Sequence, residues 1–318
     1  MSVYPDFAKR VFENNVTNTT HRTPYPAVDP TRPELSQKGR TVFITGGSAG
    51  IGFAIAKAFI RASAAAVIIS GRRQHKLNEA IAALTKEAET AGTGTRVSGE
   101  NVDVFDPEAI DKLWAGFAAK GIVIDVLILN AARMASATGP ILSLGSSRVW
   151  ETMEINARSL LLHTEKFHQQ PKGDKPRAII NISTQAIHQC HKEHVPIVAE
   201  RPEYSMTKLA GTMVMQYVAL DADPDEVQIL SYHPGSTYSE AWSSIGVPEE
   251  FMPFDDIQLP GNYAVWAASP EAKFLHGRFV WSSWDVDELA NGPLRKRIDS
   301  EVDFLRVGIF GLRGENLA

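Results

Sequence analysis

TGGSAGIG, Thr45 to Gly52, stands between a short apolar run and a helical pattern. The run before it is RTVFIT, Arg40–Thr45, rich in β-branched residues. The pattern after it begins at Phe53 and reaches Ala62. Glycine permits a tight turn and lets backbone N–H groups approach a pyrophosphate. The N-terminus of the following helix then faces that anion favourably. Glycine-rich turns are common, but this one has the strand–turn–helix setting that dinucleotide binding requires. The reading assigns Gly46, Ser48, Gly50, Ile51 and Gly52 to a cofactor.

Outward from this loop, short apolar runs alternate with amphipathic stretches. The runs are Arg40–Thr45, Ala65–Ser70, Arg96–Val104, Ile124–Asn130, Arg177–Ser183, Val227–Ser231 and Gly277–Ser282. They are rich in Val and Ile and mostly lack alternation, which suits strands buried on both faces of a parallel sheet. Leu77, Ala80, Ile81 and Leu84 recur at helical spacing. So do Ile110, Leu113, Trp114 and Phe117, behind Asp106 as cap and Pro107 in the first turn. The expected fold is α/β: a Rossmann-type, doubly wound parallel sheet of about seven strands flanked by helices. Residues 1–39, with five prolines, read as an extended arm, and 40–318 as one domain.

Composition narrows the function. The chain has 318 residues, 44% hydrophobic and 22% charged, with a net charge of −5. That balance argues against a general affinity for nucleic acid. No apolar run approaches the length that spans a bilayer, and the polar N-terminus with Pro5 is unlike a signal peptide. The single cysteine forms no internal disulfide, so a reducing, cytoplasmic setting is expected.

Two further stretches carry chemistry. The second strand ends in Ser70-Gly71-Arg72-Arg73 without the acid that bonds an NAD ribose. Two guanidinium groups suit the 2′-phosphate of NADP(H), so NADP(H) is favoured over NAD(H). YSMTK places Tyr204 and Lys208 four residues apart on one helical face. Met206, Leu209 and Met213 are expected to mark that helix's buried side, with the pair projecting elsewhere. A nearby ammonium and a helix N-terminus both favour phenolate, so a lowered tyrosine pKa is expected. Tyr204 would then exchange a proton with a carbonyl or alcohol oxygen.

Tyr-x-x-x-Lys downstream of Gly-x-x-x-Gly-x-Gly resembles the short-chain dehydrogenase/reductase superfamily, over roughly residues 38 to 285. The resemblance implies further roles. Asp103-Val104 stands where the family contacts adenine. Leu129-Asn130-Ala131-Ala132 is similar to its Asn-Ala-Gly element, with Ala132 in place of glycine. Asn156 matches the helix asparagine whose backbone holds a water beside the catalytic lysine. Pro234-Gly235, with Thr237, matches the element beside the nicotinamide. In Asn181-Ile-Ser-Thr184 the family's substrate-binding hydroxyl falls on Thr184, ahead of Ser183, and both stay open. The resemblance further implies a substrate lid around 236–260, where Trp242, Phe251, Met252 and Phe254 could line an apolar pocket. It also implies a homodimer or homotetramer built through the helices carrying Asn156 and Tyr204.

The segments YPAVDPTRPELSQKG (25–39) and GRFVWSSWDVDEL (277–289) resemble those of fungal members, many of which act in secondary metabolism. The expected activity is NADP(H)-dependent reduction of a small-molecule ketone or aldehyde, or the reverse oxidation. A non-redox enzyme on the same fold and a non-catalytic NADP(H)-sensing module remain alternatives. HQCHKEH, residues 188–194, resembles an insertion over the site. It reads as an exposed loop, as a pocket wall in which His188 or His191 binds a polar substrate, or as a zinc site. No metal is required by the expected reaction.

Overall fold

A computed structural model describes residues 15–134, 138–188, 201–238, 243 and 248–308. Its centre is a seven-stranded sheet in the order β3-β2-β1-β4-β5-β6-β7, every neighbouring pair parallel. The strands are β1 Thr41–Ile44, β2 Ala66–Gly71, β3 Arg96–Asn101, β4 Val126–Leu129, β5 Arg177–Ile182, β6 Val227–His233 and β7 Phe279–Trp281. All seven expected runs are strands, with shifted ends. β3, at one edge of the sheet, is the exception to burial on both faces: its residues are exposed or half-buried, whereas β7 at the other edge is buried.

The pleat of β1 shows how the layers form. Phe43 faces one side, against Trp114 at 6.1 Å and Phe117 at 5.3 Å, both edge-on. Val42 and Ile44 face the other side. The first layer holds helices α1 Gly50–Arg61, α2 Gln74–Ala91 and α7 Gln258–Ala267. The second holds α3 Pro107–Ala119, α5 Ser159–Gln169 and α6 Pro202–Leu220, with α4 Ser146–Met153 packed on α6. α3 starts as its sequence dictates, with Asp106 accepting a hydrogen bond from the Glu108 amide at 3.0 Å and Pro107 in the first turn.

The described part of the arm is packed. Val28 and Leu35 are fully buried at two 3₁₀ turns, Pro26–Val28 and Pro33–Leu35. No helix among the described residues is long and apolar enough to cross a membrane.

Candidate active site

The connections after β1 and β4 leave toward opposite layers, which opens a crevice at the strands' C-terminal ends. Thr45 ties the two ends together. Its Oγ1 accepts from the amides of Asn130 and Ala131, both at 3.0 Å, and donates to the Ile128 carbonyl at 3.2 Å. Asn130 Nδ2 donates to the carbonyls of Thr45 and Gly46 at 3.0 and 3.2 Å. Gly52 lies directly beneath: a Cβ there would stand 2.4 Å from the Gly46 oxygen. Gly50 has φ +56°, and a Cβ on it would meet nothing within 4 Å. The residue before α1 is Ala49, whose side chain makes no cap. The first-turn amides therefore have no side-chain cap and are open to an anion. Ser48 packs on Gly71, and Ile51 packs against the core. Tight turn, open space and uncapped amides together fit a pyrophosphate.

Beyond β2, Arg72 is 54% exposed and only 3.8 Å from the Asp103 carboxylate, itself 41% exposed. A pair so loose and wet leaves Arg72 available to a phosphate. Phe105 lies under both Arg72 and Arg133, at 5.8 and 5.9 Å from its ring. Arg73 occupies the position preceding α2, and Val104 is buried.

Asn156 lies in a π-helical turn, Glu154–Arg158, between α4 and α5. Such turns are rare and concentrate at functional sites. Its Oδ1 accepts from the Arg133 amide at 2.8 Å. Its Nδ2 donates to the Arg133 carbonyl at 2.8 Å and to Thr207 Oγ1 at 3.1 Å. Asn156 thus joins the segment after β4 to α6.

α6 presents Tyr204 and Lys208 to the end of β5. Lys208 Nζ donates to the Ile182 carbonyl at 2.7 Å, and burial lowers its pKa to about 8. Tyr204, one turn earlier, has its pKa raised by burial to about 12. The expected lowering of the phenol is therefore overturned. Desolvation pushes both groups toward their neutral forms. The expected buried face of α6 is also corrected. Met206 and Met213 are 41% and 37% exposed, and Tyr217 and Leu220 are exposed beside them. The buried side instead carries Glu203, Thr207, Lys208, Gly211, Thr212, Met215 and Ala219. Small and polar residues let the helix approach the sheet end, so the large apolar ones are turned outward.

The two candidate hydroxyls differ in their bonds. Thr212 Oγ1 donates to the Lys208 carbonyl at 2.8 Å. Its 2.6 Å contact with Ser183 Oγ must then use the serine's hydrogen. Thr184 Oγ1 accepts from the Ala186 amide at 3.3 Å and keeps its hydrogen. A cavity of about 20 Å³ lies behind Lys208, lined among others by Asn156, His163 and Asn181. That is room for one water. Asn181 Oδ1 has no hydrogen-bond partner among the described residues.

Pro234 and Gly235 follow β6, and Thr237 is buried in a parallel bridge with Asp255. Phe254 packs on Tyr238 at 5.2 Å, Met252 packs on the core and Phe251 is half-buried. Trp242 lies outside the described residues. So do Cys190, His191 and His194, while His188 packs on Trp281 at 5.6 Å. Sequence reasoning gave no role to Thr45, Thr207, Thr212 or Arg133. Thr45 and Thr207 stand inside the two motifs, but their partners are tens of residues away in the chain.

Residues 40–249 match the sequence profile of the short chain dehydrogenase family. A short chain dehydrogenase/reductase of Aspergillus novofumigatus, nsrO, is 34% identical, over 86% of this chain and 89% of its own. Another from Claviceps purpurea is 32% identical, over 92% and 94%. L-sorbose reductase of Gluconobacter frateurii, solved with NADPH and L-sorbose, superposes with a TM-score of 0.67 at 21% identity, over 78% of this chain and 96% of that one. A Burkholderia cenocepacia short chain dehydrogenase solved with NADP gives 0.64 at 19% identity, over 79% and 99%. Sequence profile, fungal relatives and fold agree: the chain belongs to the short chain dehydrogenase family of oxidoreductases, whose fold binds a nicotinamide cofactor.

Proposed function

We propose that the protein is an NADP(H)-dependent carbonyl reductase acting on a small-molecule ketone or aldehyde. The observation that carries the reading is the joining of α6 to the end of β5 by Lys208 and Thr212, one and two helical turns from Tyr204. Gly46, Ser48, Gly50, Ile51 and Gly52 would hold the pyrophosphate, Asp103 and Val104 the adenine side, and Asn130, Pro234, Gly235 and Thr237 the nicotinamide side. When bound, the nicotinamide supplies the hydride. Tyr204 gives its phenolic proton to the substrate oxygen, a role that suits a phenol still protonated at neutral pH. Thr184, which retains a hydrogen to donate, orients that oxygen in preference to Ser183. Lys208 fixes the ribose, and Asn156 supports the water behind it. Arg72 and Arg73 favour a 2′-phosphate over a bare ribose.

The fungal relatives and the two fungal-like segments support a place in secondary metabolism, and the single cysteine supports a cytoplasmic setting. Met206, Met213, Tyr217, Leu220 and Leu161 form exposed apolar surface on α5 and α6, which suits a homo-oligomer. Residues 40–318 serve as a single catalytic domain.

Titration with NADPH and NADH side by side tests the cofactor. NADPH should bind roughly 10-fold or more tightly, and Arg72→Ala/Arg73→Ala should erase the difference without weakening NADH. Tyr204→Phe should lower turnover by about 10²-fold or more while leaving NADPH affinity within about twofold. Unchanged turnover would reject the assignment of Tyr204.

A further inference from the structure

We propose that the N-terminal arm is a clasp that holds together the two described ends, 235–237 and 255–256, of the segment expected to form the substrate lid, with Arg22 as its positioning residue. The lid's two described ends already meet. The Asp255 amide donates to the Ser236 carbonyl at 2.8 Å, and the Ser236 amide donates to Asp255 Oδ2 at 2.7 Å. Thr237 pairs with Asp255 in a parallel bridge. A Cβ on Gly235 would stand 2.6 Å from Asp255 Oδ2, so the carboxylate lies flat against the turn. One side chain therefore holds the segment that leaves β6 to the segment that returns to α7.

The arm takes the other half of that carboxylate. Arg22 Nε donates to Asp255 Oδ1 at 3.0 Å, and the Arg22 carbonyl accepts from the Asp256 amide at 2.8 Å. Asp255 is 10% exposed, and burial raises its pKa against the opposing pull of Arg22 and the Ser236 amide. A carboxylate so placed depends on a cation to remain charged and in position.

The arm itself is anchored beyond β7, independently of the lid. The amides of Asn18 and Thr19 donate to the Glu288 carboxylate at 2.7 and 2.8 Å. His21 meets Asp285 at 2.8 Å, and Thr20 bridges Trp284. Tyr25 OH donates to the Trp284 carbonyl at 3.1 Å and stacks on His21 at 3.5 Å. The chain thus runs from a fixed block at 284–288 across to the lid base. The consequence for the site rests on the reading that Pro234–Thr237 faces the nicotinamide: the clasp sets where that segment stands when the cofactor binds.

Hydrogen exchange of the full chain, followed by peptides over 234–238 and 255–257, reads the clasp directly. Arg22→Ala should exchange these amides roughly tenfold faster, with peptides of β1 and β4 unchanged. Arg22→Lys, which keeps the charge, should fall between. NADPH affinity, by fluorescence titration, should drop about tenfold in Arg22→Ala and recover partly in Arg22→Lys. Should Arg22→Ala fail to fold, Asp255→Asn tests the same contact and should also accelerate exchange. Exchange within twofold of wild type in these variants overturns the clasp. Faster exchange with unaltered NADPH affinity overturns its link to the site. A wild-type protein that binds no NADPH rejects the proposed cofactor instead, and the exchange data still decide the clasp.

Discussion

A single methyl added at Gly50 or at Gly52 should damage different properties of the protein. At Gly52 the Cβ would stand 2.4 Å from the Gly46 oxygen and 2.6 Å from Asn130 Nδ2. Relief requires a retreat of about 1 Å, and neither neighbour is free to make it. Asn130 is held by Thr45 and Gly46, and Thr45 is held across the crevice to β4. Overpacking plus a weakened Asn130 bond should cost about 3 kcal/mol, a fall in Tm of about 4 °C for a chain of 318 residues. At Gly50 the Cβ meets nothing, so the cost is that of an alanine at φ +56°, about 1 kcal/mol and about 1.5 °C. If the pyrophosphate lies where we propose, that methyl enters its space, and NADPH affinity should fall at least about tenfold. Thermal melting and NADPH titration of Gly50→Ala and Gly52→Ala read both effects. Gly50→Ala binding NADPH within twofold of wild type would refute the placement of the phosphates. Gly52→Ala melting with the wild type would refute the crowding argument.

Two further outcomes follow from the site and its surface. The Lys208 ammonium, lowered by burial to about 8, is present below that pH and lost above it, while Tyr204 stays protonated to about 12. Reductive kcat/KM should therefore fall as pH rises through about 8, and a profile flat to pH 10 would argue against a charged lysine requirement. The unfolded lysine keeps its proton to about 10.4, so between the two values unfolding binds protons and Lys208 makes stability rise with pH. Met213→Lys/Tyr217→Lys should shift sedimentation from an oligomer toward monomer without changing Tm by more than a few degrees; an unaltered assembly would place the interface elsewhere.

The strand–loop–helix around Thr45–Gly52, the seven apolar runs and the Tyr204–Lys208 spacing were legible in the chain because each is a local pattern. A buried parallel strand is a run of Val and Ile, a phosphate turn needs glycine, and four residues make one helical turn. Local patterns also placed Asp106 and Pro107 at the start of α3. They failed on α6, where apolar periodicity named Met206 and Met213 as the core face and the structure turns both outward. Periodicity locates an apolar stripe but does not say whether the sheet or another surface covers it. The phenol pKa failed for a related reason: charge proximity can be read from spacing, but burial is decided by everything that packs around the helix.

The sequence by itself determined the fold class, the position of the glycine loop and the candidates Tyr204, Lys208, Asn156, Ser183 and Thr184. Only the tertiary structure decided between bonds made by residues far apart in the chain. Thr212 takes the Ser183 hydrogen, Thr45 pins Asn130, and Arg22 reaches Asp255. The physical reason is common to all three. A hydrogen bond needs its partners within about 3 Å, and that proximity is created by folding, not by order along the chain.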